Sequence, residues 1–125
     1  MRVLVDTHVL LWMLQDPTRI GADAAKVLKA EDTTVVISTI CLWEIAIKRG
    51  AGKLGAPENL PDRLRALGHE ILSLSAEHVW RVGALPHHHR DPFDRALVAQ
   101  ALVEGLPLIT HDQALFAYEA RIIRA

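Results

Sequence analysis

The chain is poor in cysteine. Cys41 is its single thiol, which excludes an intramolecular disulfide and a cysteine zinc cage. It falls in an apolar helical pattern, where a buried structural thiol is expected and not a nucleophile. Long hydrophobic runs are also missing: no apolar stretch reaches the about 18 residues that a membrane span needs. The first residues lack the charged-then-apolar pattern and small-residue cleavage site of a secretory leader. These absences make a cytoplasmic protein, with no membrane association, the default expectation. No segment is of low complexity, and neither a linker nor an internal repeat divides the chain. Strong charge of one sign is absent too. A net charge of −1 neither implies nor excludes nucleic acid, since a basic rim can surround an acidic centre.

What is present is an ordinary globular composition. Half of the residues (50%) are apolar and 23% are charged, so the chain can bury a core. At 125 residues it is expected to form one domain over residues 1–125. The three tryptophans suggest buried anchors or an interface.

Val3 to Val5 is short, apolar and without alternation, which predicts a strand buried on both faces. A helix is expected over Thr7 to Gln15, broken by Asp16-Pro17. A second helical pattern covers residues 21–31. Thr33 to Ile37 reads as another buried strand, followed by a helix capped at Ser38 or Thr39 and running to about Arg49. Further helices are expected over Pro57 to Leu67 and from Ser75 to Gly83, where Ser75 and His78 bracket a weak cap. Between them Glu70 to Leu74 reads as a strand. Asp91 and Pro92 open a helix as N-cap and first residue, and Gly105 closes it. Leu106 to Thr110 is a strand, Gln113 to Glu119 a short helix, and Arg121 to Ile123 a last strand. Alternating strands and helices predict an α/β fold with a parallel sheet covered on both faces.

Two glycine motifs fail on context. Gly50-Ala51-Gly52-Lys53-Leu54-Gly55 matches the dinucleotide fingerprint in letters, but a long helix precedes it and a proline-containing turn follows. A phosphate-binding loop would need Gly at 47 and Ser or Thr at 54, where Ile47 and Leu54 stand. A glycine-capped helix end explains the segment better. His87-His88-His89 invites a zinc reading, but adjacent histidines do not readily point at one ion. The other readings are a solvated loop, or one histidine that touches substrate phosphate or orients Asp91.

Four acids stand where their surroundings predict no solvent-facing carboxylate: Asp6, Glu44, Asp94 and Asp112. Asp6 and Asp112 end apolar runs, and either can serve as a helix N-cap. Asp94 falls in the first turn of a helix, where the dipole favours it. Glu44 is harder to excuse. It lies in mid-helix among Trp43, Ile45 and Ile47, and its one local partner is Lys48. Ligands of open parallel sheets bind beyond the carboxyl ends of the strands, and all four acids can reach that edge. Gathered carboxylates repel unless a cation lies between them. An oxygen-only donor set selects Mg²⁺ or Mn²⁺, ions that activate water and stabilise a phosphodiester's leaving oxygen. Lys48, Arg49, Lys53, Arg90 and Arg95 are candidates for holding the phosphate backbone, or ordinary surface charge.

Taken in order, Val5-Asp6-Thr7-His8, Trp43-Glu44-Ile45-Ala46-Ile47-Lys48, His89-Arg90-Asp91-Pro92-Phe93-Asp94-Arg95 and Thr110-His111-Asp112 resemble PIN-domain ribonucleases. The branch they look most like is the VapC-type toxins of toxin–antitoxin pairs. The resemblance implies a PIN-like three-layer sandwich, with a central parallel sheet of four to five strands flanked by helices. It implies an endoribonuclease that uses one or two Mg²⁺ or Mn²⁺ ions, held by Asp6, Glu44, Asp94 and Asp112, with Asp6 and Asp94 as principal ligands. Thr7 and Thr110 would support the acids. Asp91 would act as a helix cap first and a contributor to the site second. Lys48, Arg90 and Arg95 would contact substrate. The implied partners are RNA, a cognate antitoxin and a second copy of the chain, in a homodimer or a heterotetramer or larger assembly with antitoxin. A housekeeping RNA-processing nuclease and a degenerate RNA- or partner-binding module are the alternatives. A phosphatase whose nucleophile needs Asp at both 6 and 8 is disfavoured by His8.

Overall fold

The computed structural model describes residues 1–125. Five strands, β1 (Arg2–Val5), β2 (Thr34–Ser38), β3 (Glu70–Leu72), β4 (Leu108–Thr110) and β5 (Ile122–Arg124), form one sheet in the order β3-β2-β1-β4-β5. Every pairing is parallel; Val3 lies opposite Val35 on one side of β1, and Val5 opposite Ile109 on the other. Six helices connect them: α1 (Thr7–Gln15), α2 (Ala22–Lys29), α3 (Thr39–Gly50), α4 (Leu60–Ala66), α5 (Ala76–Val82) and α6 (Pro92–Glu104). The chain builds outward from β1 to β3, then crosses back to place β4 on the far side of β1. Parallel crossovers are right-handed, so the reversal puts helices on opposite faces and yields the three expected layers.

The centre of the sheet is as apolar as its sequence requires. Val3, Leu4, Val5, Val36 and Ile37 are fully buried, and so are Leu108 and Ile109. They belong to one core with Val9, Leu10, Ile40, Leu64, Leu97 and Val98. No helix is long and apolar enough to cross a membrane.

Local chemistry sets the helix ends. The Ser38 hydroxyl accepts from the Ile40 N–H at 3.0 Å, so β2 passes directly into α3. Ser75 and His78 form a complete capping box, not a weak cap: each side chain accepts the other's backbone N–H, at 3.2 and 2.9 Å. Gly105 takes the left-handed conformation, φ 65°, that ends α6. Several boundaries differ from expectation. Helix α4 begins at Leu60, not Pro57, because Pro61 fits the first turn, where no N–H is needed. Strand β3 stops at Leu72, and β4 begins at Leu108, after Pro107, which has no N–H to donate. The segment Gln113–Ala117 is a 3-10 turn rather than an α-helix.

Candidate active site

The topological reversal lies between β1 and β4, and Asp6 and Asp112 follow those two strands. Asp6 is only 3% exposed. One carboxylate oxygen accepts the Val9 N–H at 2.9 Å and caps α1; the other accepts the Thr110 hydroxyl. The cap and the inward-facing acid are therefore the same residue, and neither role excludes the other. Thr110 closes a second link, since its oxygen accepts the Asp112 N–H at 3.1 Å. Asp112 caps the following 3-10 turn through the Ala114 N–H at 3.0 Å, which leaves its other oxygen for the site.

Glu44 comes from α3. It is 9% exposed. The Thr7 hydroxyl donates to Oε1 at 2.6 Å, and Lys48 Nζ lies 3.0 Å from Oε2. The helical ion pair with Lys48 exists, but it holds a carboxylate that is largely buried. Thr7 thus supports Glu44, and Thr110 supports Asp6 and Asp112 together. Asp91 caps α6 by accepting the Phe93 N–H at 2.8 Å. That cap fixes the first turn of α6, which carries Asp94.

His89 completes the arrangement. Its Nδ1 accepts the Asp91 N–H at 2.9 Å, which leaves the ring proton on Nε2. That Nε2 lies 2.8 Å from an Asp112 oxygen and 3.2 Å from an Asp94 oxygen. The His89 Nε2 and the facing Asp94 and Asp112 oxygens lie within 4.8 Å of one another; with its proton on Nε2 the imidazole donates to both acids, and the two carboxylates are close enough to share one ion. Sequence reasoning allowed a histidine that orients Asp91 but did not single out His89 as the bridge between two acids. The available signal was its place just before the helix cap. His87 and His88 are exposed, and His88 packs edge-on against Tyr118 at 4.9 Å between ring centroids.

One expected substrate contact is overturned. Arg95 is 8% exposed. Its guanidinium donates to the carbonyls of Pro86 at 2.9 Å, Val82 at 3.1 Å and Leu85 at 3.4 Å, and to the Tyr118 hydroxyl at 3.3 Å. It fastens the segment before α6 and offers nothing to a phosphate. Adjacent helical positions do not share a face, so an inward turn at 95 accompanies the outward-facing Asp94. Arg90 is exposed, and Lys48 is half-exposed beside Glu44.

The electrostatics of the cluster are costly. Burial is the largest cause of a raised Asp6 pKa, opposed by the Thr110 and Val9 hydrogen bonds and reinforced by the Asp112 charge. Asp94 is pushed up to about 7, first by burial, then by the charges of Asp91, Asp6 and Asp112, with His89 acting against them. Cys41, fully buried, is pushed up to about 12, chiefly by burial and further by Asp6, Glu44 and Asp94. The thiol is therefore inert, and the charges of Asp6, Glu44 and Asp94 all reach it. Oxygen donors, the burial of Asp6 and Glu44 beside the half-buried Asp94 and Asp112, and mutual repulsion together fit a hard divalent cation. Asp6, Glu44, Asp94 and Asp112 are the residues that could hold it, with His89 at the border between Asp94 and Asp112.

The family model described as PIN domain matches residues 3–120, a span that includes all four acids. The chain belongs to the PIN domain family. Ribonuclease VapC22 of Mycobacterium tuberculosis is 28% identical over 120 residues, covering 90% of this chain and 88% of that protein. Among solved structures, VapBC2 from Rickettsia felis, bound to a DNA fragment from its promoter, aligns at a TM-score of 0.73 with 19% identity, over 100% of this chain and 99% of that one. DNA-bound VapBC from Salmonella typhimurium aligns at 0.72 with 18% identity, over 99% and 98%. At these identities the two alignments speak to the PIN fold.

Proposed function

We propose that this protein is a divalent-metal-dependent endoribonuclease of the VapC type, acting as the toxin of a toxin–antitoxin pair, with residues 1–125 working as one domain. The observation that carries the nuclease reading is the close group of Asp94, Asp112 and His89 beside Asp6, which Thr110 ties to Asp112 at the carboxyl edge of a PIN sheet; Glu44, held by the Thr7 hydroxyl, would join them from α3. The toxin reading is supported by the likeness to Ribonuclease VapC22 and by structural neighbours that are toxin–antitoxin complexes.

Asp6 and Asp94 would be the principal ligands of Mg²⁺ or Mn²⁺, with Glu44 and Asp112 as further ligands for one or two ions. When bound, the ion supplies Lewis acidity towards water and the scissile phosphate. The chain's own residues prepare the site. Thr110 turns one Asp6 oxygen inward while the helix cap holds the other. Thr7 and Lys48 fix both oxygens of Glu44. His89 carries its proton on Nε2, between Asp94 and Asp112, where it offsets their repulsion and positions both carboxylates. Lys48 and Arg90 flank the acids and would neutralise backbone phosphates.

The proposed partners are an RNA substrate, a cognate antitoxin that covers the acids, and a second copy of the chain. Purified protein is expected to cut RNA with Mg²⁺ or Mn²⁺ and to stop on chelation. Asp6→Asn should abolish cleavage while the protein still melts cooperatively; cleavage at the wild-type rate would overturn the metal site. Growth arrest on expression, relieved by a small co-expressed partner, would separate a toxin from a housekeeping nuclease.

A further inference from the structure

Beside the acids, helix α3 carries an apolar ridge that the core does not use. Trp43 is 57% exposed and Ile47 is 50% exposed. They lie one turn apart, alongside the Glu44–Lys48 pair. The Trp43 indole packs edge-on against Phe93 at 5.0 Å between ring centroids, with an interplanar angle of 79°. One face of the indole is thereby left for another partner.

Next to this ridge, an open recess of about 490 Å³ lies between α3 and the start of α6. Ile47 and Phe93 give it an apolar floor, Lys48 and Arg90 supply cations, and Glu44 joins it to the acid cluster. Its carboxylates are already engaged: Glu44 by Thr7 and Lys48, and Asp91 by the Phe93 N–H. An apolar, aromatic surface with cations beside it, continuous with a phosphodiester-cleaving centre, has the chemistry of a single-stranded nucleic-acid site. There bases stack on π-faces and cations track the backbone. Duplex RNA cannot present an unstacked base to such a surface.

We propose that Trp43, supported by Phe93 and Ile47, is a stacking platform for an unpaired base of the RNA next to the scissile phosphate, with Lys48 and Arg90 holding the adjoining backbone. The proposal rests on the endoribonuclease reading for the identity of its ligand. It makes the substrate a loop or single strand, and it makes Trp43 a binding residue.

The test uses full-length protein in an Asp94→Asn background, so that RNA is not consumed, and a fluorescein-labelled single-stranded RNA hexamer followed by anisotropy. Trp43→Ala should weaken binding about tenfold, within the range for loss of one base stack. Trp43→Phe, which keeps an aromatic face, should retain binding within about threefold. The same hexamer annealed into a duplex should bind more weakly than the single strand. In protein carrying Trp12→Phe and Trp80→Phe, Trp43 is the sole indole, and its emission should be quenched as RNA saturates. With the acids intact, Trp43→Ala should raise KM and largely spare kcat.

Unchanged binding by Trp43→Ala, or unquenched emission at saturation, overturns the platform. So does a shift from dimer to monomer in sedimentation with RNA affinity unchanged, because the ridge would then be a contact between copies. If wild type cuts RNA while these readouts fail, the nuclease reading survives without the platform. If wild type cuts nothing yet binding depends on Trp43, the platform stands and the nuclease reading falls.

Discussion

Replacing Asp94 by Asn should make the metal-free protein more stable while removing its activity. The Asp94 carboxyl is pushed from 3.8 up to about 7 by burial and by the charges of Asp91, Asp6 and Asp112. For an acid raised in this way, the folded state holds a proton that the unfolded state releases. Stability is therefore highest below the unfolded value, falls as pH climbs from about 4 to about 7, and stays low above that. At about 1.36 kcal/mol per pKa unit the full shift corresponds to about 4 kcal/mol. Asp94 keeps part of its surface in water, and screening reduces the realised cost to about 2 kcal/mol. Asn carries no charge at any of these pH values, so the variant escapes the cost. Thermal melts in chelator at pH 8 should place Asp94→Asn above wild type by on the order of 6 °C. At pH 4 most of that advantage should vanish, because the wild-type carboxyl is then protonated in the folded state and partly protonated in the unfolded one. Added Mg²⁺ should raise the wild-type melting temperature more than the variant's, since an ion that binds only the folded state stabilises it in proportion to its affinity. A variant that melts below wild type at pH 8, or one whose advantage is the same at pH 4, would refute the account of a repelling, cation-seeking cluster.

Thr110→Val should lower cleavage more than tenfold and cost about 2 kcal/mol in urea unfolding, because it strips Asp6 of a donor and the Asp112 N–H of its acceptor. Arg95→Met should cost about 3 kcal/mol by leaving the Leu85 and Pro86 carbonyls unpaired and taking one of two donors from the Val82 carbonyl. Its KM for RNA, measured where it remains folded, should match wild type, as it would not if Arg95 held phosphate. Gly105→Ala should cost about 1 kcal/mol, because φ at this position is positive. Its cleavage rate should be unchanged, which separates the end of α6 from the chemistry at its start.

Features fixed by a few neighbouring residues were legible in the sequence. The unbroken apolar run of β1 announced a buried parallel strand, and Ser38, Asp91-Pro92 and Gly105 announced their helix ends. The acids stood out because each contradicted its surroundings, Glu44 most of all. Arg95 was misread because proximity in sequence to Asp94 was taken for proximity in space, while the helix turns one residue inward and the next outward. His89 was veiled by its two histidine neighbours, and its partners Asp94 and Asp112 arrive from α6 and from beyond β4. The paired role of Thr110 depends on Asp6, 104 residues away, and no local pattern carries a contact of that span. The start of α4 followed Pro61 rather than Pro57, a choice between two similar signals that packing of Leu60 and Leu64 decides.

The central claim is that these carboxylates act by gathering a divalent cation for RNA cleavage. Titrating Mn²⁺ into wild type and Asp94→Asn, with bound ion followed by electron paramagnetic resonance and RNA cleavage measured in the same samples, tests it most directly. The account predicts that wild-type cleavage rises in step with ion occupancy, and that Asp94→Asn loses binding and cleavage together. Cleavage that persists in chelator, or an Asp94→Asn protein that cuts RNA without binding the ion, would contradict it.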